Sequence, residues 1–167
     1  MKIPRVALSA LVALCVVAGC GDASSSSSPT HTAAAPKAES SAEAVWTSDY
    51  DGALRIAAQD KKMVLAAFTG SDWCPPCQRL ASEVFQTDVF KRWAAKHFVL
   101  VEFDFPRRSP IEPAVKARNE TFAKTLGITG FPTVVMMNAD GRELGRLGYV
   151  PGGADAWITA AEKKIPK

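Results

Sequence analysis

The sequence has few cysteines, few histidines and no charge excess, and each shortage excludes a class of protein. Four cysteines in 167 residues are too few for a disulfide-stapled scaffold. Two of them, Cys15 and Cys20, lie in or just after an apolar N-terminal run, so only Cys74 and Cys77 fall in the region predicted to fold. The 20 basic and 17 acidic residues leave a net charge of +3 with no large basic patch. A nucleic-acid partner is therefore not expected.

The sequence also lacks a hydrophobic run long enough for a transmembrane helix. Lys2 and Arg5 precede a nearly continuous apolar stretch from Val6 to Ala18. That stretch is shorter than the roughly 20 residues a helix needs to span a bilayer. A basic start, a short apolar run and small residues at its end are typical of an export signal. We therefore expect a signal peptide over residues 1–19 rather than a permanent transmembrane anchor.

The end of the signal peptide resembles the bacterial lipobox. In Val17-Ala18-Gly19-Cys20, cleavage before Cys20 would expose a cysteine that carries lipid chains. The alternative is a conventional secretory cleavage that leaves Cys20 as a free thiol. Residues 20–44 are rich in Ser, Ala, Thr and Pro, and they bury too little apolar surface to fold. They are predicted to be a flexible tether that holds the domain at the outer side of a bacterial membrane, in the periplasm.

Residues 45–167 have the alternating helix and strand patterns of a single α/β domain. The expected helices are 49–62, 75–84, 89–96, 114–126 and 152–164, and the expected strands are 63–68, 98–105, 131–137 and 142–149. This order is a helix, a βαβ unit, a further helix and a ββα unit. It predicts a central mixed β-sheet flanked by helices.

Two cysteines separated by two prolines follow the first predicted strand. Cys74 would lie at the start of a helix, where free N–H groups and the helix dipole favour a thiolate. We expect Cys74, the less buried of the two, to be the nucleophile and Cys77, one turn on, to resolve the mixed disulfide. The pair is also half of a zinc site. His97 is the one histidine in the predicted domain, so no metal is expected.

Three motifs in this order resemble the thioredoxin family over about Val45 to Lys164. They are Trp73-Cys74-Pro75-Pro76-Cys77, Gly130-Phe131-Pro132-Thr133 and the final glycine-containing hairpin and helix. The turn Gly70-Ser71-Asp72-Trp73-Cys74 is similar to that of exported bacterial members. The chain also resembles the C-terminal thioredoxin-like domain of the periplasmic disulfide reductant conductor.

The resemblance implies a thioredoxin-like fold and a thiol-disulfide oxidoreductase that needs no cofactor. Its partners would be protein thiols and disulfides, with an electron donor such as a membrane thiol reductase. Pro132 would be a cis-proline opposite the cysteines, with the Phe131 backbone facing the disulfide. An ordinary trans-proline at the start of a strand is the alternative. Trp73 would either shield the sulfurs or lie in the core.

One departure from the family concerns proton transfer. Ala67 stands where many thioredoxins have a buried carboxylate, and Glu102 on the neighbouring strand is a candidate replacement if it is buried. Gly148 and Tyr149 lie either near the active site or at a simple strand end. Arg79 is expected to point into solvent.

Two functions remain open at this point. The first is a membrane-tethered reductase, because Pro75 and Pro76 offer no N–H group to the Cys74 thiolate. The second is a thioredoxin-fold lipoprotein that delivers copper or binds a partner, with Cys74 and Cys77 as metal ligands. Copper delivery would be helped by a further His or Met in the predicted site loops, and the sequence has none there.

Overall fold

A computed structural model describes residues 44–166. The predicted signal peptide, Cys20 and all of the tether but its last residue lie outside these residues. The helices are α1 Tyr50–Asp60, α2 Pro75–Leu80, α3 Asp88–His97, α4 Pro113–Thr125 and α5 Gly153–Glu162, and the strands are β1 Trp46–Thr47, β2 Met63–Thr69, β3 Phe98–Asp104, β4 Thr133–Met137 and β5 Glu143–Leu147. In this part of the chain, no helix combines the length and the apolar character required to cross a membrane.

The five strands form one mixed sheet in the order β1-β3-β2-β4-β5. β2 is parallel to β3 and antiparallel to β4, and β5 is antiparallel to β4. This confirms the α/β prediction. β1 was not predicted; it pairs in parallel with only Leu100 and Val101 of β3.

The sheet is covered by helices on both faces, which explains why β2 is apolar throughout. Five successive residues of β2, from Val64 to Phe68, are buried. Leu65 and Ala67 belong to the core cluster formed with the helical segments after the cysteines and with α5. Val64, Ala66 and Phe68 belong to the opposite cluster, which includes residues of α1. A strand buried on both faces has no solvent-facing side, so polar and apolar residues do not alternate along it.

The sequence predicts a break between residues 84 and 89 in the helical segment that carries the cysteines. In the structure the α-helix already ends at Leu80, and the next one begins at Asp88. α2 continues at Leu80 into a π-helical turn, Ala81–Phe85, before α3 begins. Thr87 caps α3, because its Oγ1 accepts a hydrogen bond from the Phe90 N–H at 3.2 Å. The π-helical turn therefore joins α2, which carries the cysteines, to α3, which has its own N-cap.

Candidate active site

Cys74 and Cys77 form a disulfide where β2 passes into α2. Cys74 is the N-cap of α2, and the two Cα atoms lie 5.3 Å apart. Pro75 and Pro76 occupy the first helical positions, where a missing N–H breaks no helical hydrogen bond. Each cysteine is only 3% exposed. The expectation that Cys74 is the less buried residue is therefore wrong for this disulfide form, in which the two cysteines are equally buried.

The Phe131–Pro132 peptide bond is cis, as the resemblance implied. Thr133, the next residue, pairs with Phe68 of β2. This register puts Pro132 at the end of the sheet where the cysteine turn begins. The strand predicted from Phe131 starts instead at Thr133.

Trp73 lies half-buried beside the cysteines, outside both core clusters. Its indole N–H donates to the carbonyl of Phe105 at 2.8 Å, and its ring meets Phe131 edge-on with centroids 5.9 Å apart. A Cβ atom on Gly70 would lie 2.5 Å from this indole. Glycine at position 70 therefore makes room for Trp73 against the turn.

Asp104, the last residue of β3, holds the start of the same turn. The Ser71 N–H donates to Asp104 Oδ1 at 2.9 Å, and the Ser71 hydroxyl donates to Oδ2 at 2.6 Å. The side chain of Ser71 therefore connects the cysteine turn to the neighbouring strand.

A second carboxylate, that of Asp72, binds the loop that follows β3. It accepts hydrogen bonds from the backbone N–H groups of Arg107, Arg108 and Ser109 at 2.8 to 2.9 Å. We call this arrangement the Asp72 clasp. The N–H bonds, that of Arg107 foremost, lower the pKa of Asp72 from 3.8 to about 2.

We expect Asp72→Asn to loosen the clasp, because an amide oxygen is a weaker acceptor than a carboxylate. Hydrogen exchange of the amides of residues 107–109 should become about tenfold faster at neutral pH. The folded pKa of Asp72 is depressed, so its contribution is complete above pH 4 and is lost as the pH falls through about 2. The Asp72→Asn variant should lack that acid-dependent change, whereas exposed Asp51→Asn should retain it. Equal exchange in the wild type and Asp72→Asn would contradict the clasp.

Tyr149 contacts the helical segment that begins at the cysteines. Its hydroxyl donates to Glu83 Oε2 at 2.5 Å, and the Arg79 guanidinium lies 5.5 Å from the centre of its ring. The hydrogen bond to Glu83 raises the pKa of Tyr149. Arg79 is therefore turned toward Tyr149 rather than simply into solvent.

The loop after β5 also approaches the cis-proline. A Cβ atom on Gly148 would lie 3.4 Å from the Pro132 carbonyl oxygen. The carbonyl of Gly148 accepts a hydrogen bond from the Trp157 indole N–H at 2.9 Å. Of the two alternatives for Gly148 and Tyr149, the structure favours a loop close to the active site.

Glu102 pairs in register with Ala67 on the neighbouring strand, as the sequence indicated. The residue is exposed rather than buried, because β1 ends before it and leaves that edge open. Desolvation of its carboxyl and the nearby Asp104 raise the pKa of Glu102. Glu102 lines a cavity of about 290 Å³ together with Trp46 and Asn119. Its role as a proton relay stays a prediction.

Asn119, at the same cavity, is 2% exposed. Its side-chain amide donates to the Asp104 carbonyl at 2.9 Å. Between residues 44 and 166, no three His, Cys, Asp or Glu side chains cluster in a way that could hold a metal ion.

Comparison with known proteins identifies the family to which this chain is similar. Residues 50–161 match the model of the thioredoxin-like domain. The chain is 34% identical over 120 residues, 72% of each protein, to disulfide bond reductase DsbH of Chlamydia pneumoniae. It is 29% identical over 104 residues to the thioredoxin-related protein DsbJ of the same organism, covering 62% of this chain and 30% of DsbJ.

Solved structures give the same result for the fold. The structure of DsbH oxidoreductase superimposes with a TM-score of 0.69 at 34% identity, covering 74% of this chain and 85% of DsbH. A thioredoxin from Thermus thermophilus gives a TM-score of 0.53 at 21% identity, covering 71% of this chain and 84% of that protein.

Proposed function

Because this chain belongs to the thioredoxin-like domain family, we propose that it is a thiol-disulfide reductase, exported and tethered to a bacterial membrane, that reduces protein disulfides. The Cys74–Cys77 disulfide at the start of α2 carries the proposal. The relative DsbH, which is named a disulfide bond reductase, supports the direction.

In the reduced protein, the Cys74 thiolate attacks one sulfur of a partner disulfide. A Cys74–partner disulfide forms, and the other partner sulfur leaves as a thiolate. Cys77 then attacks the Cys74 sulfur, which closes the intramolecular disulfide and releases the second partner thiolate. Two electrons pass to the partner, so a dithiol donor must reduce the Cys74–Cys77 disulfide before the next cycle.

The surroundings of Cys74 support reduction over oxidation. An oxidising pair requires strong stabilisation of its thiolate. Pro75 and Pro76 have no N–H to offer. The two cations near the turn each stack on an aromatic ring, Arg79 on Tyr149 and Arg107 on Trp73. The adjoining turn instead carries the Asp72 carboxylate, whose depressed pKa keeps it charged at neutral pH. The Cys74 thiolate is therefore only moderately stabilised.

A moderately stabilised Cys74 thiolate predicts a reducing potential for the Cys74–Cys77 pair. Equilibration of residues 44–167 with thiol buffers at pH 7, followed by alkylation of the free thiols, should give a value closer to thioredoxin at about −270 mV than to DsbA at about −120 mV. A value near the oxidising limit would contradict the assignment as a reductase and leave the family membership intact.

The tether is a separate part of the proposal. Cys20 carries the lipid, and residues 20–44 give the domain a root-mean-square reach of about 25 to 30 Å. Multiple acyl chains hold a protein at a membrane far better than one chain does.

Cys20→Ser should abolish lipid attachment and move the protein from the membrane fraction to the soluble extracytoplasmic fraction. Fractionation and mass spectrometry of the N-terminus test this. Ser24→Ala, within the tether, serves as the control and should remain at the membrane. The lipoprotein assignment fails if processed Cys20→Ser partitions with membranes as the wild type does.

A further inference from the structure

Arg107 is an exposed cation directly beside the redox turn. Its guanidinium lies 3.5 Å from the centre of the Trp73 ring, and Trp73 precedes Cys74. A guanidinium stacked on a ring by its face keeps its N–H groups at the edge, in the plane where a carboxylate binds in a bidentate manner. Among residues 44–166, no acceptor for the Arg107 side chain and no ion pair of it is found.

The acidic groups nearby have other partners and form no ion pair with this cation. Both oxygens of Asp72 bind backbone N–H groups, and both oxygens of Asp104 bind Ser71. Glu120 pairs with Lys116. None of these carboxylates pairs with the Arg107 guanidinium, which is therefore available to a carboxylate of another molecule.

An aromatic cavity lies under Arg107. It measures about 260 Å³, and Trp73, Phe105 and Phe131 form its apolar walls together with Ile111. The Phe105 and Phe131 ring centroids are 4.9 Å apart, and all four side chains are only partly buried. Arg107, Asp104 and the Lys116–Glu120 ion pair also border this cavity. A partly exposed cavity with apolar walls and a charged rim is typical of a binding site for a segment of another protein.

We propose that Arg107 recognises a carboxylate of the oxidised substrate protein, and that the substrate segment places an apolar side chain in the adjoining cavity. This inference rests on the proposed function and deepens it. The occupant is an extended segment in which an Asp or Glu lies close to the disulfide and to a bulky apolar residue. Charge complementarity selects this segment. The guanidinium of Arg107 donates two parallel hydrogen bonds to a carboxylate, which it binds more strongly than a neutral or cationic group.

The test compares two peptide disulfides that are identical except for Glu or Gln beside a leucine near the cystine. With reduced wild-type protein at low salt, we expect kcat/KM to be about 3- to 10-fold higher for the Glu peptide, chiefly through KM. The preference should shrink at about 0.5 M salt, because salt screens an exposed pair. Arg107→Gln should bring the ratio to about one, and Arg107→Lys should give an intermediate ratio.

The matched control is Arg92→Gln, which removes the same charge from an exposed position on α3. It should keep the wild-type preference. Loss of the preference in Arg92→Gln to the same degree, or a wild-type ratio of one, would overturn the proposal. A purely structural role of Arg107 would slow both peptides equally and leave their ratio unchanged, which would also overturn it.

A second arm separates this inference from the proposed function. Peptides with Ser in place of both cysteines cannot be reduced, so their affinity reports recognition alone. Tighter binding of the Glu form, lost in Arg107→Gln, supports the carboxylate site whether or not reduction occurs. Failure of the wild type to reduce either disulfide peptide would instead count against the reductase assignment.

Discussion

Cys77→Ser should accumulate covalent complexes with substrate proteins, and Cys74→Ser should accumulate almost none. Attack by Cys74 survives in the first variant, but no second thiol is left to release the partner. The N-cap position of Cys74 assigns it the attacking role, since the Cys77 N–H and the helix dipole favour its thiolate. Both variants should lose catalytic turnover completely, because neither can close the Cys74–Cys77 disulfide.

Non-reducing electrophoresis and mass spectrometry of trapped complexes measure this difference. The double variant Cys74→Ser/Cys77→Ser controls for non-covalent association. Similar trapping by the two single variants would contradict the division of roles, while the redox activity of the pair would still stand. Both cysteines are 3% exposed in the disulfide form, so kinetics rather than exposure is the deciding criterion.

Trp157→Ala should lower the free energy of unfolding by about 3 to 5 kcal/mol. Trp157 is 0% exposed, and its ring packs edge-on against Phe85, Phe90 and Trp93. Its removal leaves a large cavity between α5 and the segment that follows the cysteines. Urea denaturation, with the slope checked for two-state behaviour, measures the loss.

Two further variants divide that effect into parts. Trp157→Phe keeps an aromatic ring but removes the indole N–H that binds the Gly148 carbonyl, and it should cost about 1 to 2 kcal/mol. Trp93→Ala, at a half-buried tryptophan of the same cluster, should cost less than Trp157→Ala. If Trp93→Ala proved the more damaging, the central position of Trp157 in this core would be wrong.

The sequence predicted those parts of the molecule that have a strong local pattern. β2 is a continuous apolar run bounded by turn residues, and the cysteines follow it directly, so the strand, the turn and the helix start could all be placed. β1 has only two residues, too few for any periodicity, and it exists because Trp46 and Thr47 pair with β3. Its existence depends on tertiary contact and could not be found in the local sequence.

The missed contacts of the site have the same origin. The Asp72 clasp uses backbone N–H groups 35 to 37 residues away, and those groups have no side-chain signature. Tyr149 comes from a loop that is distant in sequence and lies against Arg79. The position of Arg79 in its helix could not reveal this contact. Glu102 was a candidate for a buried acid on the strand beside Ala67, but the shortness of β1 leaves it exposed.

The short β1 also bears on self-association of the protein. β3 is an edge strand beyond Val101, and an uncovered edge invites a strand from a second molecule. Asn119 already occupies the Asp104 carbonyl that such a strand would need. Glu102 and Asp104 place two carboxylates along the same edge, so two copies meeting there would also repel each other. This edge therefore carries its own protection against aggregation by strand pairing, supplied by one amide and two acids.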